Sequence, residues 1–462
     1  MLRHKKYHFI GIGGIGMSGI AKLLLSLGYE VTGSDLKRSE ITKQLEGQGA
    51  RIFYGHHPQN VLGAEVVVYS SAIKPDNPEL VEAKRLGLEV IPRAAMLVEI
   101  MKLHHFNIAV AGAHGKTTTS SMIATVLTAG GLKPTVAVGG KVNGFAGNAW
   151  LGKRDYLVAE ADESDGSFLR MKPNLAVVTN IDREHLDFYP DFEAVKQAFL
   201  SFLNDQLEPE GTAVLCLDDP GVRELIPKVK REVLTYGFSP AADLRAKVIK
   251  GAEKTLFGVF YQETYLGEAT VHLPGRHNVL NALAAIGVGL RLGLPFQAIV
   301  QGLSAFRGVR RRLEFKAEVG GILVLDDYAH HPTEIKATLA ALKVAHPERR
   351  LVVLFQPHRY TRTKALFEDF VRSFDQVDLL LLTKIYPASE PPLPGVSGER
   401  LYLALKERRK GPTFFAENKE LLLARTLSLL EPGDLVVTMG AGDIYRVGEA
   451  LVEELGLREE VA

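Results

Sequence analysis

Residues 110–121 read VAGAHGKTTTSS, and the fold is legible outward from them. An apolar run of strand length, Asn107–Ala111, enters the motif, and a helical pattern, Thr117–Ala129, leaves it. A strand, a glycine-rich loop and a helix in that order make one parallel βα unit. Lys116 and Thr117 end the loop as Gly-Lys-Thr ends a P-loop. In such a loop the backbone from Gly112, Ala113, His114 and Gly115 to Lys116, Thr117 and Thr118 cradles phosphate oxygens. Lys116 reaches the terminal phosphates, and the Thr117 hydroxyl holds Mg²⁺. A full P-loop has about four residues between its glycines, whereas two separate Gly112 from Gly115. The plainer reading is a glycine-rich turn with a chance lysine.

Strand-length apolar runs alternate with helical patterns over most of the chain, which predicts α/β units on largely parallel sheets. Upstream, a predicted strand Tyr7–Ile12 runs into Gly11, Gly13, Gly14, Ile15, Gly16 and Met17 before helix Met17–Leu27, and Asp35 ends the next strand. Gly11-x-Gly13-x-x-Gly16 in that setting lets a diphosphate approach the N-terminus of a helix. NAD, FAD and a UDP-sugar all carry such a diphosphate, and the motif does not choose among them. The segment 101–106, MKLHHF, is the predicted linker to the P-loop unit.

Downstream, predicted strand Tyr156–Ala159 ends in EADESD, with Glu160, Asp162, Glu163 and Asp165, and strand Leu175–Thr179 ends in NIDREH, with Asn180, Asp182 and His185. Carboxylates beside a P-loop suit Mg²⁺, a hard cation that takes oxygen ligands. Alone they read as a solvated loop, and His185 alone as a structural histidine. A polar stretch near residues 239–273 is predicted as antiparallel strands. Asn278 and Asn281 share a helix face and can meet a purine edge, although Asn278 also suits a helix cap. The turn 306–314, FRGVRRRLE, closes this unit. Its Arg312 is a phosphate clamp or part of a solvated basic turn.

The last unit repeats strand, polar loop and helix. Ile322–Leu325 leads into Asp326, Asp327, Tyr328, His330 and His331. Leu351–Phe355 leads into His358, Arg359 and Arg362, and Leu435–Met439 into GAGD. Strand ends of this kind hold ligands in open α/β sheets. Both signs of charge are present, as recognition of a zwitterion requires.

Composition narrows the class. Of 462 residues, 46% are hydrophobic and 24% charged, and the net charge is +1, so no bulk field points to nucleic acid or to a membrane surface. Cys216 is the single cysteine, which excludes an internal disulfide and a cysteine zinc cluster. No run approaches the roughly 18 apolar residues of a membrane span, and the N-terminus lacks the pattern of a signal peptide. A cytoplasmic protein without membrane insertion is the expectation.

Taken in order, the strings HFIGIGGIGMSGIAKLL, AHGKTTT, EADESD, TNIDREHLD, PGRHNVLNALAA, FRGVRRRLE, DDYAHHPTEI and QPHRYTRT resemble the Mur ligases of bacterial cell-wall synthesis over nearly the whole chain. The resemblance implies a three-domain α/β protein. Residues 1–103 would form a Rossmann-like domain for UDP-N-acetylmuramate, 104–313 a central P-loop ATPase-like domain, and 314–462 a Rossmann-like domain for the amino acid. A P-loop shortened in this way is normal in that family. The implied activity joins L-alanine to the UDP-N-acetylmuramate carboxylate through an acyl-phosphate, using ATP and Mg²⁺, in peptidoglycan precursor synthesis.

By the same resemblance, Gly11, Gly13, Gly14, Ile15, Gly16, Met17, Asp35, Ser70 and Ser71 hold the UDP-sugar. Lys116, Glu160, His185, Arg312 and Asp327 form the catalytic set, with Thr117, Glu160 and His185 on the metal. Asn278, Asn281 and Arg312 join the P-loop in binding ATP. Tyr328, His330, His358, Arg359 and Arg362 surround the amino acid. The sequence departs from the family pattern at Ala113, often Thr, and at Ala329, commonly Gly. It also departs near Leu200, where related ligases place a carbamylated lysine that bridges a second Mg²⁺. The nearest lysine, Lys196, is out of register, so that role is not carried over.

Three rivals stand beside this reading. A nicotinamide-dependent oxidoreductase would leave AHGKTTT and EADES idle. A nucleotide-switched binding protein would not explain the zwitterion-ready third unit. A recycling ligase would attach a ready-made peptide to the same UDP-sugar.

Overall fold

The computed structural model describes residues 4–461 apart from 71, 146, 186, 187 and 252. The described residues form three sheets. The first has strands β1 (Lys6–Ile10), β2 (Glu30–Asp35), β3 (Arg51–Tyr54), β4 (Val66–Tyr69) and β5 (Glu89–Pro92), in the spatial order β3-β2-β1-β4-β5. All its pairings are parallel. The order reverses at β1, and the glycine turn leaves from the C-terminal end of that strand.

The second sheet contains β6 (Phe106–Ala111), β7 (Thr135–Val142), β8 (Gly147–Trp150), β9 (Tyr156–Glu160), β10 (Leu175–Val178), β11 (Thr212–Cys216), β12 (Glu232–Gly237), β13 (Leu244–Gly251), β14 (Thr255–Tyr261) and β15 (Thr264–Val271). Its order is β15-β14-β13-β12-β11-β10-β6-β9-β7-β8. The central pairs are parallel, with Val110 opposite Glu160 and Ala111 opposite Val178. Register alone therefore sets the start of the P-loop beside the ends of β9 and β10. Residues Ile108–Ala111 are completely buried, as expected of a central parallel strand covered on both faces.

The third sheet contains β16 (Glu314–Val319), β17 (Ile322–Asp327), β18 (Arg350–Phe355), β19 (Leu379–Thr383), β20 (Thr413–Ala416) and β21 (Asp434–Met439). Its order is β16-β17-β21-β18-β19-β20, parallel except for the antiparallel edge strand β16. Alternate residues feed separate cores on its two faces: Leu323 and Leu325 one, Ile322 and Val324 the other.

The chain divides into two compact units, one of residues 1–247, 257–270 and 280–307, the other of 248–256, 271–279 and 308–462. Helix Ile15–Ser26 packs against β7 and β8 inside the first unit. Several boundaries differ from expectation by a residue or two, and two of them bear on the glycine loops. The first strand ends at Ile10, so Gly11 and Ile12 already belong to the turn, and the P-loop helix begins at Lys116, directly after Gly115. Sequence reading passed over β7, β8 and β16, because Gly139, Gly140 and the charges of β16 break the alternation that marks a strand. Among the described residues no helix is long and apolar enough to cross a membrane.

Candidate active site

The P-loop is shaped by its neighbours. Gly115 has φ +81°, and a Cβ there would lie 2.7 Å from Asn281 Oδ1. Only glycine allows both the left-handed backbone and that approach. Asn281 also accepts the Thr119 hydroxyl at 3.1 Å, which ties helix Arg276–Arg291 to the P-loop helix. From the end of β10, Thr179 Oγ1 and Asn180 Nδ2 donate to the His114 carbonyl at 2.7 and 2.9 Å, and Asn180 Oδ1 accepts the His114 N–H at 2.8 Å. Asp182 Oδ2 lies 2.8 Å from His114 Nε2. The loop is thus preorganised by side chains that sequence reading assigned to a neighbouring cluster.

Lys116 curls back over the loop. Its Nζ donates to the Gly112 carbonyl at 2.6 Å and to both Glu163 oxygens at 2.8 and 2.9 Å. Burial pushes the ammonium towards neutrality, but Glu163, Asp162 and Glu160 outweigh it and raise its pKa. Glu160 accepts the Gly139 N–H at 2.6 Å and a hydrogen bond from Thr117. Burial raises its pKa against those two bonds. His185, in the left-handed region at φ +58°, sets Nε2 3.4 Å from Glu163 Oε1 and 3.4 Å from Glu184 Oε2. Thr117 and Glu160 are thereby joined directly, while His185 approaches Glu163.

A cavity of about 360 Å³ connects this corner with the glycine turn. Gly14, Ile15, Gly16, Met17 and Ser70 line one part, and Lys116, Gly139, Glu160 and Asp162 another. Helix Ile15–Ser26 starts at Gly14 with no side-chain cap and no acid in its first turn, which leaves its first N–H groups and the positive end of its dipole for an anion. Asp35 does not face the ligand side alone: its Oδ2 accepts the Gly13 N–H at 2.9 Å and so braces the turn. Ser71 lies outside the described residues. Arg93, at the end of β5, was not singled out in the sequence. Its Nη2 donates to Asp162 Oδ2 at 3.0 Å, and it lines the same cavity. Burial raises the Asp162 pKa, but Lys116 and Arg93 outweigh it and lower it. The signal was available, since Arg93 follows a strand at the edge where every other site loop lies.

In the second unit, Asp327 ends β17 and is 4% exposed. Its oxygens accept the Leu313 and Ala329 N–H groups, each at 2.8 Å. Burial pushes its pKa up to about 6, against the pull of Arg312 and those two N–H groups. Arg312 donates to Glu334 Oε1 at 3.2 Å and lies 5.2 Å above the Tyr328 ring. His277 is pushed down to about 4 by burial and by Arg312. Asn278 donates Nδ2 to the Pro274 carbonyl at 2.7 Å. His330 stands edge-on to Tyr328 and to His358, with ring centroids 5.3 and 5.9 Å away. His358 in turn stacks on Tyr386, 5.5 Å away. Arg362 Nη1 lies 3.2 Å from His358 Nδ1. Arg359 has φ +69°, and its Nε lies 4.0 Å from Glu390, which also accepts the Thr361 N–H at 3.1 Å. Sequence reading gathered Tyr328, His330, His358, Arg359 and Arg362 but not Tyr386 or Glu390, which lie beyond the end of β19.

Residues 6–105, 110–289 and 311–442 match the catalytic, middle and glutamate ligase domains of the Mur ligase family in turn. A UDP-N-acetylmuramate–L-alanine ligase of Geotalea uraniireducens is 52% identical over 452 residues, covering 98% of both chains. One from Desulfosudis oleivorans is 53% identical over 96% of this chain and 98% of its own. Among solved structures, the UDP-N-acetylmuramate-alanine ligase MurC of Thermotoga maritima superposes with a TM-score of 0.85 at 29% identity, covering 98% of this chain and all of that one. A murein peptide ligase of Psychrobacter arcticus gives 0.72 at 25%, covering 97% and 98%. With all three domains of the family matched in order along three α/β sheets, the chain belongs to the Mur ligase family.

Proposed function

We propose that this chain joins L-alanine to the lactyl carboxylate of UDP-N-acetylmuramate, with conversion of ATP to ADP and phosphate, in peptidoglycan precursor synthesis. The observation that carries the proposal is the cavity that runs from the glycine turn to Lys116 and Glu160. A diphosphate at the turn directs the rest of the sugar nucleotide towards the P-loop. The division into domains 1–103, 104–313 and 314–462 then gives each substrate its own domain.

The carboxylate attacks the γ-phosphorus of ATP, the bond to ADP breaks, and an acyl-phosphate forms. Lys116 places its charge on the phosphoryl oxygens as they leave the ATP chain. Glu163 engages that ammonium through both oxygens, so nucleotide binding would exchange one anion for another. The L-alanine amine then attacks the carbonyl, and phosphate departs from the tetrahedral intermediate. Arg359 and Arg362 neutralise the alanine carboxylate, and Tyr328, His330 and His358 shape its seat. Domain closure excludes water that would hydrolyse the acyl-phosphate.

Mg²⁺ fits the residues present. Glu160 is a half-buried carboxylate whose pKa is raised by desolvation and which bonds the Thr117 side chain, so a hard cation there would favour its ionised form. Thr117, Glu160 and His185 would hold it, and bound metal would offset phosphate charge.

The test measures phosphate release with ATP, UDP-N-acetylmuramate and a panel of amino acids and peptides. Release is expected only with the sugar nucleotide and L-alanine together. Release that needs a peptide establishes the recycling ligase instead, and binding of NAD without the UDP-sugar restores the oxidoreductase.

A further inference from the structure

We infer that Arg93 is a substrate-binding residue, the cationic half of a diphosphate clamp whose other half is the N-terminus of helix Ile15–Ser26. This rests on the function proposed above and adds to it a residue outside the motifs that define the site. Arg93 follows Pro92 at the C-terminal end of β5, two strands across the sheet from β1. Its side chain lies across the glycine turn. A Cβ on Gly16 would meet Arg93 Cδ and Nη1 at 3.1 Å and Cζ at 3.4 Å. The third glycine of such a turn is usually needed for close helix–strand packing. Here it also clears the space in which a guanidinium lies over the first turn of the helix.

Charge and donors point the same way. The cavity holds two cations, Lys116 and Arg93. Glu163 engages Lys116 with both oxygens. Arg93 is held at one point only, by Nη2 on Asp162, and among the described residues its Nε and Nη1 have no hydrogen-bond partner. A planar fork with two donors uncommitted, beside uncapped helix N–H groups, matches the geometry of a phosphate. Asp162 pairs the half-buried Arg93 and would yield it to an arriving diphosphate.

Isothermal titration of the full chain with UDP, and separately with UDP-N-acetylmuramate, tests this. Arg93→Ala should weaken both ligands by a similar factor, roughly 10- to 100-fold. Arg93→Lys, which keeps the charge but loses the fork, should fall between. KM for ATP and for L-alanine should stay within about threefold, as expected when the lost contact is to neither ligand. Asp162→Asn separates binding from mere bracing. If Arg93 binds diphosphate, this variant binds UDP as well as or better than the parent. If Arg93 only braces Asp162, the variant copies Arg93→Ala, and the inference falls. It falls also if Arg93→Ala weakens the sugar nucleotide but not UDP, which assigns Arg93 to the sugar's carboxylate, or if neither ligand is weakened. A parent protein that binds neither ligand overturns the function on which the inference rests, and the inference with it.

Discussion

Replacing Lys116 by Met should cost the protein both catalysis and stability, and the two losses should be separable. Lys116 and Glu163 form an ion pair with side chains 17% and 2% exposed. Removing one partner of a buried pair leaves the other charged and unsolvated, at a cost of about 3–5 kcal/mol. The Gly112 carbonyl loses its 2.6 Å donor in the same step. At about 2–4 °C per kcal/mol for a large domain, melting should fall by roughly 6–20 °C. Turnover should fall about 10³-fold, the scale for removing a group aimed at charge that develops in the transition state. Adding Glu163→Gln removes the stranded carboxylate, so the double variant should regain much of the melting temperature and none of the turnover. The pKa of Lys116 is raised in the folded protein, so the stabilisation from the pair is fully present at neutral pH and is lost only as pH rises through the lysine range. Calorimetric melts at pH 7 and phosphate-release rates on the same three samples decide it. A single variant that melts with the parent refutes the buried pair, and a double variant that recovers turnover refutes the role of Lys116 in phosphoryl transfer.

Other consequences are as direct. Asp327 has its folded pKa raised to about 6 by burial, so its contribution to stability is full below the ordinary carboxylate range near 4 and is lost as pH climbs towards 6. Denaturant titrations of Asp327→Asn between about pH 4 and 7 should show a flatter stability profile than the parent, and an unchanged slope rejects the buried, destabilised carboxylate. Glu160→Gln and His185→Ala should each raise the Mg²⁺ concentration for half-maximal rate, by about tenfold or more, and identical Mg²⁺ profiles would leave both as structural residues. Arg359→Lys should raise the KM for L-alanine by roughly 30-fold or more while the KM values for ATP and the sugar nucleotide hold. A rise in the ATP value alone reassigns the arginine to nucleotide phosphate.

The parts of the fold that could be read from sequence were those whose signal is local. A buried parallel strand such as Asn107–Ala111 is apolar throughout, and a glycine loop followed by a helix announces itself wherever it occurs. The same locality marks Glu160 and Asp327, each at the end of a recognisable strand, and Lys116, at the start of the helix that follows the glycine loop. Pairing was invisible. Nothing in EADESD says that Glu163 rather than Glu160 engages Lys116, because that choice depends on how the loop after β9 turns. That Asp35, at the end of β2, accepts the Gly13 N–H and braces the turn was equally invisible. Tyr386 and Glu390 lie 27 and 31 positions beyond Arg359, and reach its loop only because β18 and β19 are neighbours in the third sheet.

Helix Phe192–Ser201 settles where its amines and apolar groups go. Leu200 packs against the hydrophobic core, and the Lys196 ammonium is held at 2.7 Å by Glu193 and 2.9 Å by Glu224. Those two hydrogen bonds raise the Lys196 pKa, which keeps the amine protonated and unreactive. Only a neutral amine adds carbon dioxide, so this helix offers no lysine poised for that reaction. If Thr117, Glu160 and His185 hold the metal as proposed, they do so without a carbamylated lysine from this helix. Assays in buffer stripped of bicarbonate should run at the same rate as assays in air.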